Sequence, residues 1–301
     1  MTGHFDYIIV DGNNFGYRSF FGPSSNLINS EGINTTGLAV GIRILRSYIR
    51  KYTPKRIIFT WDGRRPEWRK KILSDVGVEY KGGRKEKRSE EESKQLCWTL
   101  SRLREWVSHC GIISGKDNNM EADDIIYQLV ASGKLKGTKL IVSSDKDLYA
   151  TFIYKDVSIL DFKDRVVTLD DYKMKFPGVP PERFHLYKAL TGDKSDNIPG
   201  IKGIGATTAI KFLTEADTPT EYALKNIKAK SSMTFLESQD EYKAFINAID
   251  LSKCPYKISN DTFKSPEFDP SALDDMAVEY EIVENYLAKK QSYNLDLMSL
   301  S

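Results

Sequence analysis

Tyr7-Ile8-Ile9-Val10-Asp11-Gly12 is the stretch from which the fold follows. A short apolar run ended by an acid and a glycine has the length and composition of a strand buried on both faces, the kind found in parallel sheets. The same pattern recurs twice. Arg56-Ile57-Ile58-Phe59-Thr60-Trp61 ends at Asp62-Gly63, and Lys139-Leu140-Ile141-Val142 ends at Ser143-Ser144-Asp145-Lys146-Asp147. Val157 to Leu160 is one further β-prone run.

Helical spacing fills the intervals. Leu38, Ile42, Leu45 and Ile49 recur at four, three and four residues between the first two strands. Ser89 and Glu92 form a capping box, and Leu96, Leu100, Leu103 and Val107 continue it as one apolar stripe. Residues 121–132 carry a shorter helical pattern on Ile125, Ile126 and Leu129. Strands alternating with helices predict an α/β fold, a mostly parallel central sheet flanked by helices. Beyond about residue 165 the strand signals fade, and helices are expected around 182–191, 206–214, 241–251 and 279–289. The division reads as 1–165 for the α/β core and 166–301 for a helical region.

The chain has 301 residues, 40% hydrophobic and 29% charged, a balance that supports a sizeable core and argues against a disordered chain. No apolar run reaches the roughly 18 residues of a membrane span, and the N-terminus has no basic-then-apolar leader. Cys97, Cys110 and Cys254 are odd in number and far apart, and there are only three histidines, so a disulfide framework or a structural zinc site is not expected. A cytoplasmic, reducing setting is the expectation. The net charge of +2 conceals an uneven distribution. Residues 64–88 hold ten basic and four acidic side chains, a local +6 that leaves the rest at −4. A basic block on an otherwise acidic chain suits a polyanionic partner, although a solvated loop would read the same way. Its Gly/Lys/Arg-rich piece at 81–88 has few apolar anchors and reads as the most mobile segment.

Three strands ending in Asp11, Asp62 and Asp145 deliver carboxylates to one edge, because parallel strands open their C-terminal ends together. Glu121-Ala122-Asp123-Asp124 adds three acids in four residues, more than a helix N-terminus needs. Asp145 and Asp147 straddle Lys146, and Asp193 and Asp196 form an i, i+3 pair. Acids brought this close repel one another unless a cation neutralises them. Hard oxygen donors without histidine or cysteine select Mg²⁺ or Mn²⁺. Two such ions about 4 Å apart serve in-line phosphodiester cleavage, one generating the nucleophile and the other stabilising the leaving oxygen. A structural calcium site fits less well, since no EF-hand spacing is present.

Pro199-Gly200-Ile201-Lys202-Gly203-Ile204-Gly205 precedes a helical stretch near Ala206. No strand leads into it, so it is not a dinucleotide fingerprint. As a helix–hairpin–helix its glycines would let backbone N–H groups approach a phosphate, with Lys202 and Lys211 supplying charge. As a plain glycine-rich link it would do neither.

Together, Val10-Asp11-Gly12-Asn13-Asn14, Trp61-Asp62, Tyr80-Lys81-Gly82-Gly83-Arg84, Glu121-Ala122-Asp123-Asp124, Ser144-Asp145-Lys146-Asp147 and Leu190 through Gly205 resemble the 5′-nuclease superfamily in order and spacing. That superfamily includes flap endonucleases, the 5′→3′ exonuclease domain of bacterial DNA polymerase I and free-standing phage enzymes. The resemblance covers roughly residues 5–215, and the size is similar to the phage type. It implies a PIN-like core, a helical arch at about 65–110 and a C-terminal helix–hairpin–helix region. It also implies two Mg²⁺ ions, with Mn²⁺ able to substitute, and K⁺ at the hairpin. Asp11, Asp62, Glu121, Asp123 and Asp124 would serve the first ion. Asp145, Asp147, Asp193 and Asp196 would serve the second, with Asp145 also bridging to the first. Lys81 and Arg84 would act at the scissile phosphate. Tyr80, Lys81, Arg84, Arg88, Gly200, Lys202, Gly203, Gly205 and Lys211 would contact DNA.

The stretch between Arg69 and Tyr80 departs from the family pattern by a few extra residues, which bears on the arch. The implied activity is divalent-metal-dependent 5′ cleavage of branched or 5′-flapped DNA, with RNA primers in RNA–DNA hybrids as a further substrate, by a monomer in replication or repair. A non-catalytic DNA-binding protein is the alternative, though it has no use for so many repelling acids. An Asp-x-Asp phosphatase is disfavoured because Asn13 stands where the second aspartate would be.

Overall fold

The computed structural model describes residues 3–22, 26–64, 66–82 and 88–282. The elements run β1 (Tyr7–Asp11), α1 (Gly12–Phe21), α2 (Thr36–Tyr52), β2 (Arg56–Trp61), α3 (Glu67–Ser74), α4 (Glu90–His109) and β3 (Ile113–Lys116). Then come α5 (Ala122–Ala131), β4 (Lys139–Val142), a 3₁₀ turn (Lys146–Ile153), β5 (Val157–Leu160), β6 (Val166–Val167) and α6 (Leu169–Lys175). The remainder is α7 (Phe184–Thr191), α8 (Ala206–Thr214), α9 (Pro219–Lys225), α10 (Lys230–Glu237), α11 (Gln239–Ile249), β7 (Phe263–Lys264) and α12 (Pro270–Glu279).

The strands form one seven-stranded sheet in the order β6-β5-β4-β1-β2-β3-β7. Its five inner strands are parallel, as the unbroken apolar runs require, and each edge carries one short antiparallel strand. The two-residue side-chain period then builds two cores. Ile9, Ile58 and Ile141 point to one face, against α5, in a core that α7, α8 and α11 extend away from the sheet. Ile8, Val10, Ile57, Phe59, Leu140 and Val142 point to the other, against α1, α2, α4 and α12. Strands β6 and β7 come from beyond residue 165, so the sheet draws chain from both sides of the division read in the sequence.

Two further details concern the ends of elements. Asp11-Gly12 is the start of a helix: the Asp11 carboxylate caps α1 by accepting from the Asn14 N–H at 3.0 Å. Gly12 is required there, because a Cβ would lie 2.4 Å from the Trp61 ring. Helix α12 ends at Glu279, with Glu281 at a positive φ of 52°, and most of the helix expected at 279–289 falls outside the described residues. The Ser89/Glu92 capping box stands as expected and launches the twenty-residue α4. Most of the 81–88 piece, including Arg84, falls outside the described residues.

Candidate metal centre

The C-terminal edge of the sheet brings the acids together. Asp11 and Asp62 leave β1 and β2, Asp145 follows β4, and the Glu121–Asp124 turn opens α5 beside them. Short polar links tie these ends to one another. The Asp62 N–H donates to Asn13 Oδ1 at 3.2 Å, and Asp62 Oδ1 accepts from the Ala122 N–H at 2.9 Å. The Ser143 hydroxyl donates to Asp11 Oδ2 at 3.0 Å, while Asn14 Oδ1 accepts from the Ser144 N–H. Asp145 accepts from the Asp147 N–H at 2.9 Å, which orients both acids of that turn.

The acids line an open cleft of about 790 Å³, whose walls include Asp11, Asp62, Glu121, Asp123 and Asp145 together with Tyr17, Lys81 and Arg88. Three overlapping sets each place their carboxylate oxygens within 4.8 Å of one another: Glu121, Asp123 and Asp124; Asp123, Asp145 and Asp147; Asp147, Asp193 and Asp196. Asp123 belongs to the first two sets and Asp147 to the last two. Burial, reinforced by the charges of Asp62 and Asp145, pushes the Asp11 carboxyl up to about 8. Burial and the adjacent Asp124 drive Asp123 well above the carboxylate range. A cleft that gathers carboxylates this closely fits divalent cations.

Not all nine acids face the cleft alike. Asp124 is fully buried and binds the Arg69 guanidinium with both oxygens, at 2.6 and 2.8 Å. Glu121 accepts from Arg69 at 2.8 Å, from the Tyr80 hydroxyl at 2.6 Å and from Lys81 Nζ at 2.7 Å. Although burial opposes it, Lys81 and Arg69 hold the Glu121 carboxyl below its ordinary range. Tyr80, expected against DNA, is 3% exposed: its hydroxyl is spent on Glu121 and its ring joins the core. Lys81 does reach the cleft, with its ammonium 3.6 Å from Asp196 and its backbone at a positive φ of 55°. Arg88 stacks over Tyr17 at 4.9 Å on the opposite wall.

Two buried cations escaped the sequence reading. Arg69, counted there as part of the basic block, is 2% exposed and also donates to the Ala248 carbonyl of α11 at 2.9 Å. Lys188 of α7 contacts Asp147 and Asp193. The signal for both was register. Arg69 is one turn before the buried Leu73, and Lys188 one turn after the buried Phe184.

The hairpin follows the Asp193–Asp196 turn and is bridged to it through Asp193 and Ile198. Ile198, Ile201 and Ile204 anchor it in the core, while Lys202, Gly203, Gly205 and Lys211 are exposed. Gly192 and Gly200 interlock at positive φ, and a Cβ on Gly200 would lie 2.4 Å from the Gly192 nitrogen. Gly203 also needs its positive φ of 85°, but Gly205 has an ordinary φ of −92° and open space around its Cα.

Residues 6–177 match the 5′-3′ exonuclease N-terminal resolvase-like domain, and residues 179–270 match the 5′-3′ exonuclease C-terminal SAM fold. The chain belongs to the 5′-3′ exonuclease family. A 5′-3′ exonuclease of Aquifex aeolicus is 35% identical over 219 residues, 72% of each protein. DNA polymerase I of Bacillus subtilis is 32% identical over 248 residues, which are 81% of this chain and 27% of that protein. The chain therefore spans about a quarter of the polymerase relatives it matches. The bacteriophage T5 flap endonuclease, solved in a pseudo-enzyme-product complex with DNA and metal ions, shares the fold with a TM-score of 0.69 at 23% identity, over 92% of this chain and 99% of that one.

Proposed function

We propose that this exonuclease-family protein is a structure-specific 5′ nuclease that hydrolyses phosphodiester bonds in branched or 5′-flapped DNA with two divalent ions, Mg²⁺ or Mn²⁺. The observation that carries the reading is the convergence of carboxylates from four chain segments into one cleft, joined by overlapping sets of acids spaced for cations that extend to Asp193 and Asp196. Ions bound there would activate a water and neutralise charge on the leaving oxygen. The chain's own part is to hold the donors in place, through Asn13, Asn14, Ser143 and Arg69, and to present cations to the phosphate. Lys81 sits at the cleft wall for that purpose, with Arg84 three residues on in the sequence. Arg88 and Tyr17 offer a stacked cation and ring to a strand crossing beneath α3 and α4. The hairpin, with Lys202 and Lys211 beside Gly203 and Gly205, suits a duplex backbone approached by N–H groups, where K⁺ would complete the phosphate contact.

A binding protein with a dead site is disfavoured by Asp11 and Asp123, since acids held so unfavourably destabilise a fold that never receives a cation. Asp145→Asn separates the two readings. With Mg²⁺ and a 5′-labelled flap, the wild-type protein releases short 5′ fragments, and the variant loses at least about a hundredfold in rate while binding the flap as before. Equal cleavage by both proteins, or none by either, overturns the proposal. The same assay with an RNA-initiated strand tests RNA–DNA hybrids.

A further inference from the structure

Lys188 enters the candidate metal ligands from α7. It lies on the buried face of α7, flanked by Phe184, Ala189 and Leu190, and the residue is 8% exposed. Its ammonium contacts Asp147 Oδ1 and Asp193 Oδ2 together. The other Asp193 oxygen is already occupied, accepting from the Ser195 N–H at 2.8 Å and its hydroxyl at 2.6 Å. Asp147 and Asp193 are two of the three acids in the set completed by Asp196. The ammonium thus rests on the oxygens a second divalent ion would use. At the first site Asp11 takes neutral donors, the Asn14 N–H and the Ser143 hydroxyl, while Arg69 and Lys81 hold Glu121 and Asp124.

Resting on the reading of the cleft as a two-ion centre, we propose that Lys188 is a built-in counter-cation for the second site. It neutralises Asp147 and Asp193 before the ion arrives, and competes with that ion for their oxygens. It is a positioning residue with two consequences. The acids of the second site stay ordered and charge-balanced in the metal-free protein, where otherwise they would repel. The second ion binds more weakly than it would without the ammonium, because entry requires Lys188 to yield its contacts and remain close to a dication. Access is open, since Asp145, Lys188 and Asp193 also line an adjoining cleft of about 630 Å³ that reaches solvent.

The test is Mn²⁺ titration by calorimetry on the DNA-free protein, comparing wild type with Lys188→Met and with Lys188→Gln, which keeps length and a hydrogen-bond donor without the charge. Loss of the competing charge is expected to tighten the weaker of two Mn²⁺ sites by about tenfold or more and to leave the tighter site within about threefold. Lys188→Arg is expected to restore the wild-type weakness. In EDTA both neutral variants melt below wild type, and added Mn²⁺ raises their melting temperature by more than it raises that of wild type. If the weaker site is unchanged or weaker still in a folded Lys188→Gln protein, the counter-cation role is overturned while the metal centre stands. If wild type binds no Mn²⁺ at all, the underlying two-ion reading falls and this proposal falls with it.

Discussion

Replacing Arg69 by methionine tests the account of the buried charges most directly. The guanidinium makes four hydrogen bonds within 2.9 Å: one to Glu121, two to Asp124 and one to the Ala248 carbonyl. Asp124 has no exposed surface and Glu121 retains 6%. Methionine fills much of the same volume but leaves a buried carboxylate facing an apolar chain. Two estimates of the cost agree. Breaking a buried ion pair by removing one partner costs about 3–5 kcal/mol. Relief by protonation at pH 7 costs an ordinary carboxylic acid roughly three pH units, about 4 kcal/mol. At around 2 °C per kcal/mol for a chain of this size, the melting temperature should fall by about 6–10 °C.

The assay is thermal and guanidinium unfolding in EDTA, followed by circular dichroism between pH 4.5 and 8. The deficit should shrink toward the acid end, where a freed carboxylate takes a proton at little cost. Wild type moves the other way. The Glu121 carboxyl is held below its ordinary range, so its contribution is present above that range and lost as the pH falls through the lowered value. Adding Asp124→Leu to Arg69→Met should recover much of the loss, since an apolar pair replaces a buried ion pair at little cost. A loss under about 1 kcal/mol at pH 7.5, or a deficit that does not change with pH, would refute the reasoning.

Other consequences can be measured as readily. The Asp6 carboxyl is held at about 2 by its hydrogen bonds to Lys55 and Thr138, so its stabilisation is complete above about pH 4 and lost as the pH drops toward 2; Asp6→Asn should flatten the melting temperature across that window. Gly200→Val should destabilise the fold by several kcal/mol, about 1–3 from its positive φ and more from collision with Gly192, as urea unfolding would show. Gly205→Val should cost no more than about 1 kcal/mol yet weaken binding to duplex-containing flaps, and a folded variant with unchanged affinity would remove the hairpin from the interface. Lys81→Ala should lower the single-turnover rate by about 10²–10³ with little change in affinity. Arg88→Ala should instead weaken binding and reduce the salt slope by about one, and the reverse pattern would exchange their roles.

What the sequence disclosed and what it withheld divide along a physical line. The inner strands were legible because burial on both faces leaves an uninterrupted apolar run, as in Tyr7–Val10 and Lys139–Val142. Strand β3 was not, since Ile113-Ser114-Gly115-Lys116 has one apolar side chain and borrows its place from β2, and the two-residue β6 and β7 carry no period at all. Helix α1 was hidden for a different reason: Gly12-Asn13-Asn14 has poor helix propensity, and the helix forms because the Asp11 cap and the Trp61 ring determine its start. The acids announced themselves by spacing, since most end a strand or open a helix and Asp193 and Asp196 share the turn after α7. The cations that balance them did not, because an arginine or lysine in a sequence reads as a solvated charge unless its position on a buried helical face is weighed first. Arg69 beside Leu73 and Lys188 beside Phe184 both lie on such faces. Acids gathered at a sheet edge must be balanced from somewhere, and a reading that assigns the whole burden to absent ions omits the part the chain supplies. Arg69, Lys81 and Lys188 supply it here, each touching two of the carboxylates.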